Sequence, residues 1–150
     1  MPAGTSAIVH QFNNLFPHKP EGGLTIGNGN WLYGMVRYNG TDNQAGLFRI
    51  QRDGTGFTLL YAMTNSFGFA TTPYFHTDGK IYFCDANDLL QYDPGTGNIS
   101  NISSPSTILS RSLHIDANDW VYLTTGFGTL VKVKTDGSNL EVLTPPEQNT

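Results

Sequence analysis

Apolar residues in this chain come in short runs with aromatics at alternating positions, and Gly, Asn or Asp interrupts each run after a few residues. From Gly23 the chain reads GLTIGNGNWLYGMVRY, GLFRIQRDGTG and FTLLYA; from Tyr74 it reads YFHTDGKIYFCDA, DLLQYDPGTG and NISNIS; from Leu113 it reads LHIDANDWVYLTTG, TLVKVKTDGS and NLEVL. Tyr33, Tyr82 and Tyr122 hold equivalent places, as do the turn aspartates Asp53, Asp93 and Asp136. A period of roughly 40–50 residues with four strands per unit is the signature of propeller blades. The expected fold is all-β: three four-stranded antiparallel blades near residues 23–63, 69–103 and 107–144. A lead-in strand and loop (1–22) precede them and a polar tail (145–150) follows.

The second strand of each unit is apolar on both sides. Trp31, Tyr33 and Met35 oppose Leu32 and Val36; Ile81 and Phe83 oppose Tyr82 and Cys84; Trp120 and Tyr122 oppose Val121 and Leu123. A sheet with one solvated face alternates apolar with polar residues, so a sheet apolar on both faces belongs between two others. Three blades do not readily close a ring, because closed propellers have four to eight. The end faces, expected to show Trp31 and Met35 at one end and Trp120 and Thr124 at the other, then need covering. Each is worth on the order of 10 kcal/mol at ~25 cal/mol per Å². The chain is therefore a partial propeller, or one that copies of itself complete as a homo-oligomer, in a closed ring or a filament. The surplus strand AIVHQF before the first unit is a candidate to pair with a neighbouring copy, since an unpaired edge is a template for another chain.

The links sort onto two rims. Those between first and second strands (GNGN, TDGK, DAND) and between third and fourth (RDGTG, DPGTG, KTDGS) are tight, rich in residues that accept positive φ. Asp116-Ala117-Asn118-Asp119 begins like a calcium loop but lacks the required Gly and Glu, so it reads as a turn. The longer links gather on the opposite rim, where binding groups usually sit. That rim offers Tyr38, Asn39, Asp42, Phe67, Phe69, Arg111 and Phe127. Flat rings beside amides and carboxylates suit a sugar, so a glycan is a candidate ligand, although Phe67 and Phe69 also serve to anchor a loop. Asn39, Asn98 and Asn101 head glycosylation sequons.

Composition narrows the function without naming it. A formal charge of −4 with no basic cluster argues against nucleic acid, and Lys132 and Lys134 read as a solvated edge. No run approaches the ~20 apolar residues of a membrane helix. The start MPAGTSAIVHQF does not read as a signal peptide. Cys84, the single cysteine, lies in the run IYFC and is expected to be buried. The four histidines form no metal-binding pair. His76 and His114 are expected at equivalent places on the innermost strands of the second and third units, lining a wet channel. No nucleophile elbow, phosphate loop or paired glutamates appear. The expectation is a non-catalytic module with no catalytic residues, metal or cofactor; the competing enzyme reading, a lactonase or glycosidase, needs clustered carboxylates where Asp42 and Asp85 look isolated.

The stretch GGLTIGNGNWLYGMVRYNG followed by GLFRIQRDGTGFTLLYAM resembles the GloVer-type tandem propeller repeats of bacterial secreted proteins that carry a sorting anchor. The likeness covers about residues 7–62. DANDWVYLTTGFGTLVKV in the third unit is equally similar to NHL-type blades. The resemblance implies an extracellular or cell-surface propeller and brings no catalytic motif. Gluconolactonase-like propellers hold a divalent cation with acidic and amide groups, whereas the inner strands here offer His and Thr.

Overall fold

Turn residues every few positions reverse the chain repeatedly, and the computed structural model contains twelve strands among its described residues, which are 4–12, 19–37, 45–63, 71–85, 88–104, 112–125 and 128–143. Strands β1 (Lys19–Ile26), β2 (Trp31–Arg37), β3 (Gly46–Gln51) and β4 (Thr58–Ala62) form one antiparallel sheet in chain order. A second contains β5 (Tyr74–Phe75), β6 (Ile81–Asp85), β7 (Asp88–Tyr92) and β8 (Ile99–Ser103). A third contains β9 (Ser112–Ile115), β10 (Trp120–Thr124), β11 (Leu130–Lys134) and β12 (Glu141–Leu143). β1 begins at Lys19, four residues before the Gly23 at which the repeat pattern starts; it absorbs the offset in a bulge between Glu21 and Thr25, where Gly22 has φ +77°.

The turn chemistry repeats as the pattern predicts. Asp53 Oδ1 accepts the Thr55 N–H at 2.9 Å, Asp93 Oδ1 that of Gly95 at 2.8 Å, and Asp136 Oδ1 that of Ser138 at 2.9 Å. Asp116 is a turn residue too, its Oδ1 accepting from the Asn118 and Trp120 amides.

Three apolar clusters show how the blades stack. Tyr33, Met35 and Leu47 of the first blade pack with Ile81, Phe83, Leu90 and Tyr92 of the second. Tyr82, Cys84 and Leu89 of the second pack with Ile115, Val121, Leu123, Val131 and Val133 of the third. Each internal interface thus joins the Tyr-bearing face of one blade, its forward face, to the backward face of the next. Cys84 is buried there as a small apolar side chain. The innermost strands lie side by side: the Gly23 amide donates to Thr72 Oγ1 at 2.8 Å, and the Tyr74 hydroxyl to the Ile115 carbonyl at 3.0 Å.

This stacking corrects the expected first end face. Trp31 and Met35 point toward the second blade, not outward. Outward lie Leu32, Val36, Phe48 and Ile50, with Phe12 of the lead-in packed on them. Residues 4–12 form no ladder strand, yet they lie along this face: Phe12 meets Phe48 and Phe57 edge-on at 5.5 Å, and His10 stacks on Phe57 at 5.6 Å. The other end face carries Trp120, Tyr122 and Thr124 as expected. Lys132 and Lys134 are not a bare solvated edge, for both ammonium groups lie over the Trp120 ring, at 4.3 and 4.4 Å from its centroid.

Candidate functional site

All seven candidates of the longer-link rim, Tyr38, Asn39, Asp42, Phe67, Phe69, Arg111 and Phe127, lie outside the described residues. The described part of that rim holds one unusual group. Asp85, at the end of β6, is only 4% exposed. Its Oδ2 accepts a 2.6 Å hydrogen bond from the Tyr61 hydroxyl of β4, across the first interface. Its Oδ1 is buried with no hydrogen-bond partner among the described residues. Burial raises the Asp85 pKa above the usual carboxylate range; the Tyr61 hydrogen bond opposes this and the nearby Asp88 charge adds to it. Burial, and then Asp85 itself, raise the Tyr61 pKa, which keeps the phenol protonated as the donor. The pattern signalled this site weakly: Asp85 ends an apolar run, at the register position where the first blade has Val36 and the third Thr125.

The tight-turn rim holds a second cluster. Tyr82 donates to Asp78 Oδ2 at 2.7 Å and accepts from the Gln91 amide at 2.7 Å, while Tyr122 donates to Asp116 Oδ2 at 3.1 Å. His76 is buried edge-on against the Tyr82 ring, with Nδ1 3.3 Å from Asp78 Oδ1 and Nε2 3.4 Å from Asp119 Oδ1 of the third blade. It ties two blades together.

His76 and His114 are not equivalent. His114 is exposed on β9 and pairs with Tyr122, the place that Tyr74 takes opposite Tyr82. His76 opens the hairpin turn, its amide bonded to the Lys80 carbonyl as that of Asp116 is to Trp120. In the first blade Gly27 takes this turn position, and a side chain there would strike the Tyr33 ring.

No group of three metal-ligating side chains converges among the described residues; Asp53, Asp78, Asp93, Asp116 and Asp136 of the tight-turn rim are engaged by backbone amides or phenols, and Asp119 faces His76. Of the sequon residues, Asn98 and Asn101 are exposed, just before and on the outer strand β8, and Asn39 lies outside the described residues. A cavity of about 390 Å³ lies between the lead-in and the backward face of the first blade, walled by Val9, Phe12, Leu24, Leu32, Phe48 and Ile50 among others. No helix among the described residues is long and apolar enough to cross a membrane.

No family model matches the sequence, and no curated protein is significantly similar to it. Solved structures do match in fold. A catalytically inactive virginiamycin B lyase from Staphylococcus aureus with quinupristin aligns with a TM-score of 0.69 at 17% identity, over 91% of this chain and 44% of that one. Regucalcin, a calcium-binding protein from Agrobacterium tumefaciens, gives 0.69 at 17% identity over 93% and 50%. A nidogen/laminin complex gives 0.64 at 13% identity over 85% and 49%. This chain thus spans about half the length of the structures it matches. At such identities the likeness concerns fold alone: the chain carries three four-stranded blades of a β-propeller, compatible with the looser NHL-like pattern of its later units.

Proposed function

We propose that this chain is a non-catalytic propeller repeat module that acts by self-association, two copies pooling their blades into one ring. The observation that supports this most is the placement of exposed apolar side chains. Ile8, Val9, Leu24 and Ile26 belong to the lead-in and first blade, and Leu130, Leu140 and Val142 to the third. No large exposed hydrophobic among the described residues lies in the second blade, which is covered on both faces. Ile26, paired with Leu32, lies on the outward side of the first blade and Leu130, paired with Thr124, on that of the third, whereas Val142, paired with Val131, lies on the side turned to the second blade; exposed apolar surface at the two ends marks an interaction site. Solved propellers about twice as long as this chain are consistent with six blades from two copies.

The likeness of residues 7–62 to GloVer-type repeats adds a location outside the cell or at its surface. In this reading the longer-link rim, with Tyr38, Asn39, Asp42 and Phe127, presents the ring to a ligand such as a glycan, and His114 faces the channel. Light scattering across a micromolar concentration series tests the assembly: the reading requires a mass twice the 16.4 kDa of one chain. A folded monomer at every concentration overturns it. One observation favours a hydrolase instead, namely the buried Asp85 with its raised pKa beside Tyr61. Turnover of a lactone or glycoside that Asp85→Asn abolishes would replace the non-catalytic reading.

A further inference from the structure

We infer that residues 7–10 of the lead-in are a strand held in trust for a neighbouring copy: they form the outer strand of that copy's third blade, in place of its own β12. The inference rests on the self-association proposed above and specifies its geometry. Gly54 and Gly137 occupy the same place in the third-to-fourth strand turns of the first and third blades, each amide bonding the carbonyl three residues back. Both have positive φ, +86° and +85°. A side chain at Gly137 would collide with the Ile102 carbonyl of β8, the outer strand of the blade before it. A side chain at Gly54 would collide with the Val9 carbonyl. Val9 therefore stands to the first blade as Ile102 stands to the third, although the described residues include no blade before the first.

The lead-in covers that face only in part: Val36, Phe48 and Ile50 are buried beneath it, while Leu24 and Ile26 remain 56% exposed, and it is this open part that inner strands of a preceding blade would meet with their forward face. The third blade has such a face, uncovered. Register places Trp120, Tyr122, Leu130 and Lys132 where the first blade has Trp31, Tyr33, Leu47 and Arg49. That first-blade set is already packed against a backward face, and Arg49 lies over Trp31 at 4.3 Å as Lys132 lies over Trp120 at 4.3 Å. The partner is thus a second copy joined head-to-tail, the forward face of its β9–β11 lying against the exposed side of β1 beside the lead-in. Two like ends meeting would set forward face on forward face, a pairing neither internal interface uses.

Only one chain can then lie beside β11 of the neighbour. β12 holds that place with three paired residues, and its Val142 is 57% exposed. Carrying over the β7–β8 register, in which Leu89 pairs with Ser103 and Leu90 with Asn101, sets His10 opposite Leu130 and Ile8 opposite Val131 of the second copy.

Cysteine trapping tests this on the full chain. Mixed His10→Cys and Leu130→Cys variants should form an inter-chain disulfide under mild oxidation, since such opposed residues lie within disulfide reach, and neither variant alone should. Ile8→Pro, at an exposed position, should leave the circular dichroism spectrum unchanged but lose the cross-link, as Pro disrupts ladder pairing. Val142→Pro, weakening the competing strand, should raise its yield. A doubled mass without the mixed cross-link overturns the strand exchange but leaves self-association standing. A cross-link in Leu130→Cys alone identifies like-end pairing and overturns the head-to-tail geometry. A monomer at all concentrations overturns both.

Discussion

Replacing Tyr61 by Phe removes one hydroxyl, the only described hydrogen-bond partner of a carboxylate that is 4% exposed. A buried polar group stripped of its partner costs about 1–3 kcal/mol, and a charged one lies at or above the top of that range. For a chain of this size, 1 kcal/mol shifts Tm by roughly 2–4 °C, so Tyr61→Phe should lower Tm by about 2–12 °C near pH 7.5. The sign of the pH dependence follows from the raised pKa of Asp85, caused first by burial. Between its unfolded and folded pKa values the native state binds the proton and the unfolded state does not. Stability contributed by this group therefore rises as the pH falls from above the folded pKa toward the unfolded one, then levels off. Asp85→Asn should accordingly be neutral or stabilising at pH 7.5, by up to about 1 kcal/mol, because it removes the buried charge and still accepts from Tyr61. In that background Tyr61→Phe should cost only about 0.5–1.5 kcal/mol, the worth of a neutral hydrogen bond. Urea melts of the four proteins at pH 5 and 7.5 supply the double-mutant cycle. Equal cost of Tyr61→Phe in both backgrounds, or a loss above roughly 2 kcal/mol for Asp85→Asn at pH 7.5, refutes the reasoning.

Phe83 is fully buried between the first two blades, so Phe83→Ala should cost about 3–5 kcal/mol in a denaturant melt; a loss under roughly 1 kcal/mol would mean that interface is not tightly packed. Gly137→Ala places a Cβ at φ +85° against the Ile102 carbonyl, and should destabilise by more than the ~1 kcal/mol expected from conformation alone. Asp136→Ala should lower Tm at neutral pH, since Ser138 holds the carboxyl below its usual range. That stabilisation is lost as the pH falls through the folded pKa, so the gap between variant and parent should close in acid; a gap independent of pH contradicts the assignment.

The four-strand repeat was legible because its markers serve local needs: Asp53, Asp93 and Asp136 close their own turns, and Tyr33, Tyr82 and Tyr122 recur at one register position. The identity of the outward face was not legible. Alternation separates Trp31 from Leu32, but both sides are apolar, and which side meets the next blade depends on how the twisted sheets stack around the axis. The supposed match of His76 with His114 failed for a related reason. In the sequence pattern both histidines fall in the first strand of their unit, yet the hairpin of the second blade begins at His76 and that of the third at Asp116. A slip of two residues keeps every side chain on its face, so alternation does not reveal it. The Asp85–Tyr61 pair joins residues 24 apart on different blades, with no local pattern to announce it. Tyr38, Phe67 and Arg111 of the same rim lie outside the described residues.

The central claim is that two three-bladed chains complete one propeller. Electron microscopy of the purified full chain, with two-dimensional class averages viewed down the axis, tests it most directly. The account predicts closed rings of six blades with two-fold symmetry, each half an arc of three. Arcs of three blades standing alone, or open filaments of stacked arcs, would contradict it.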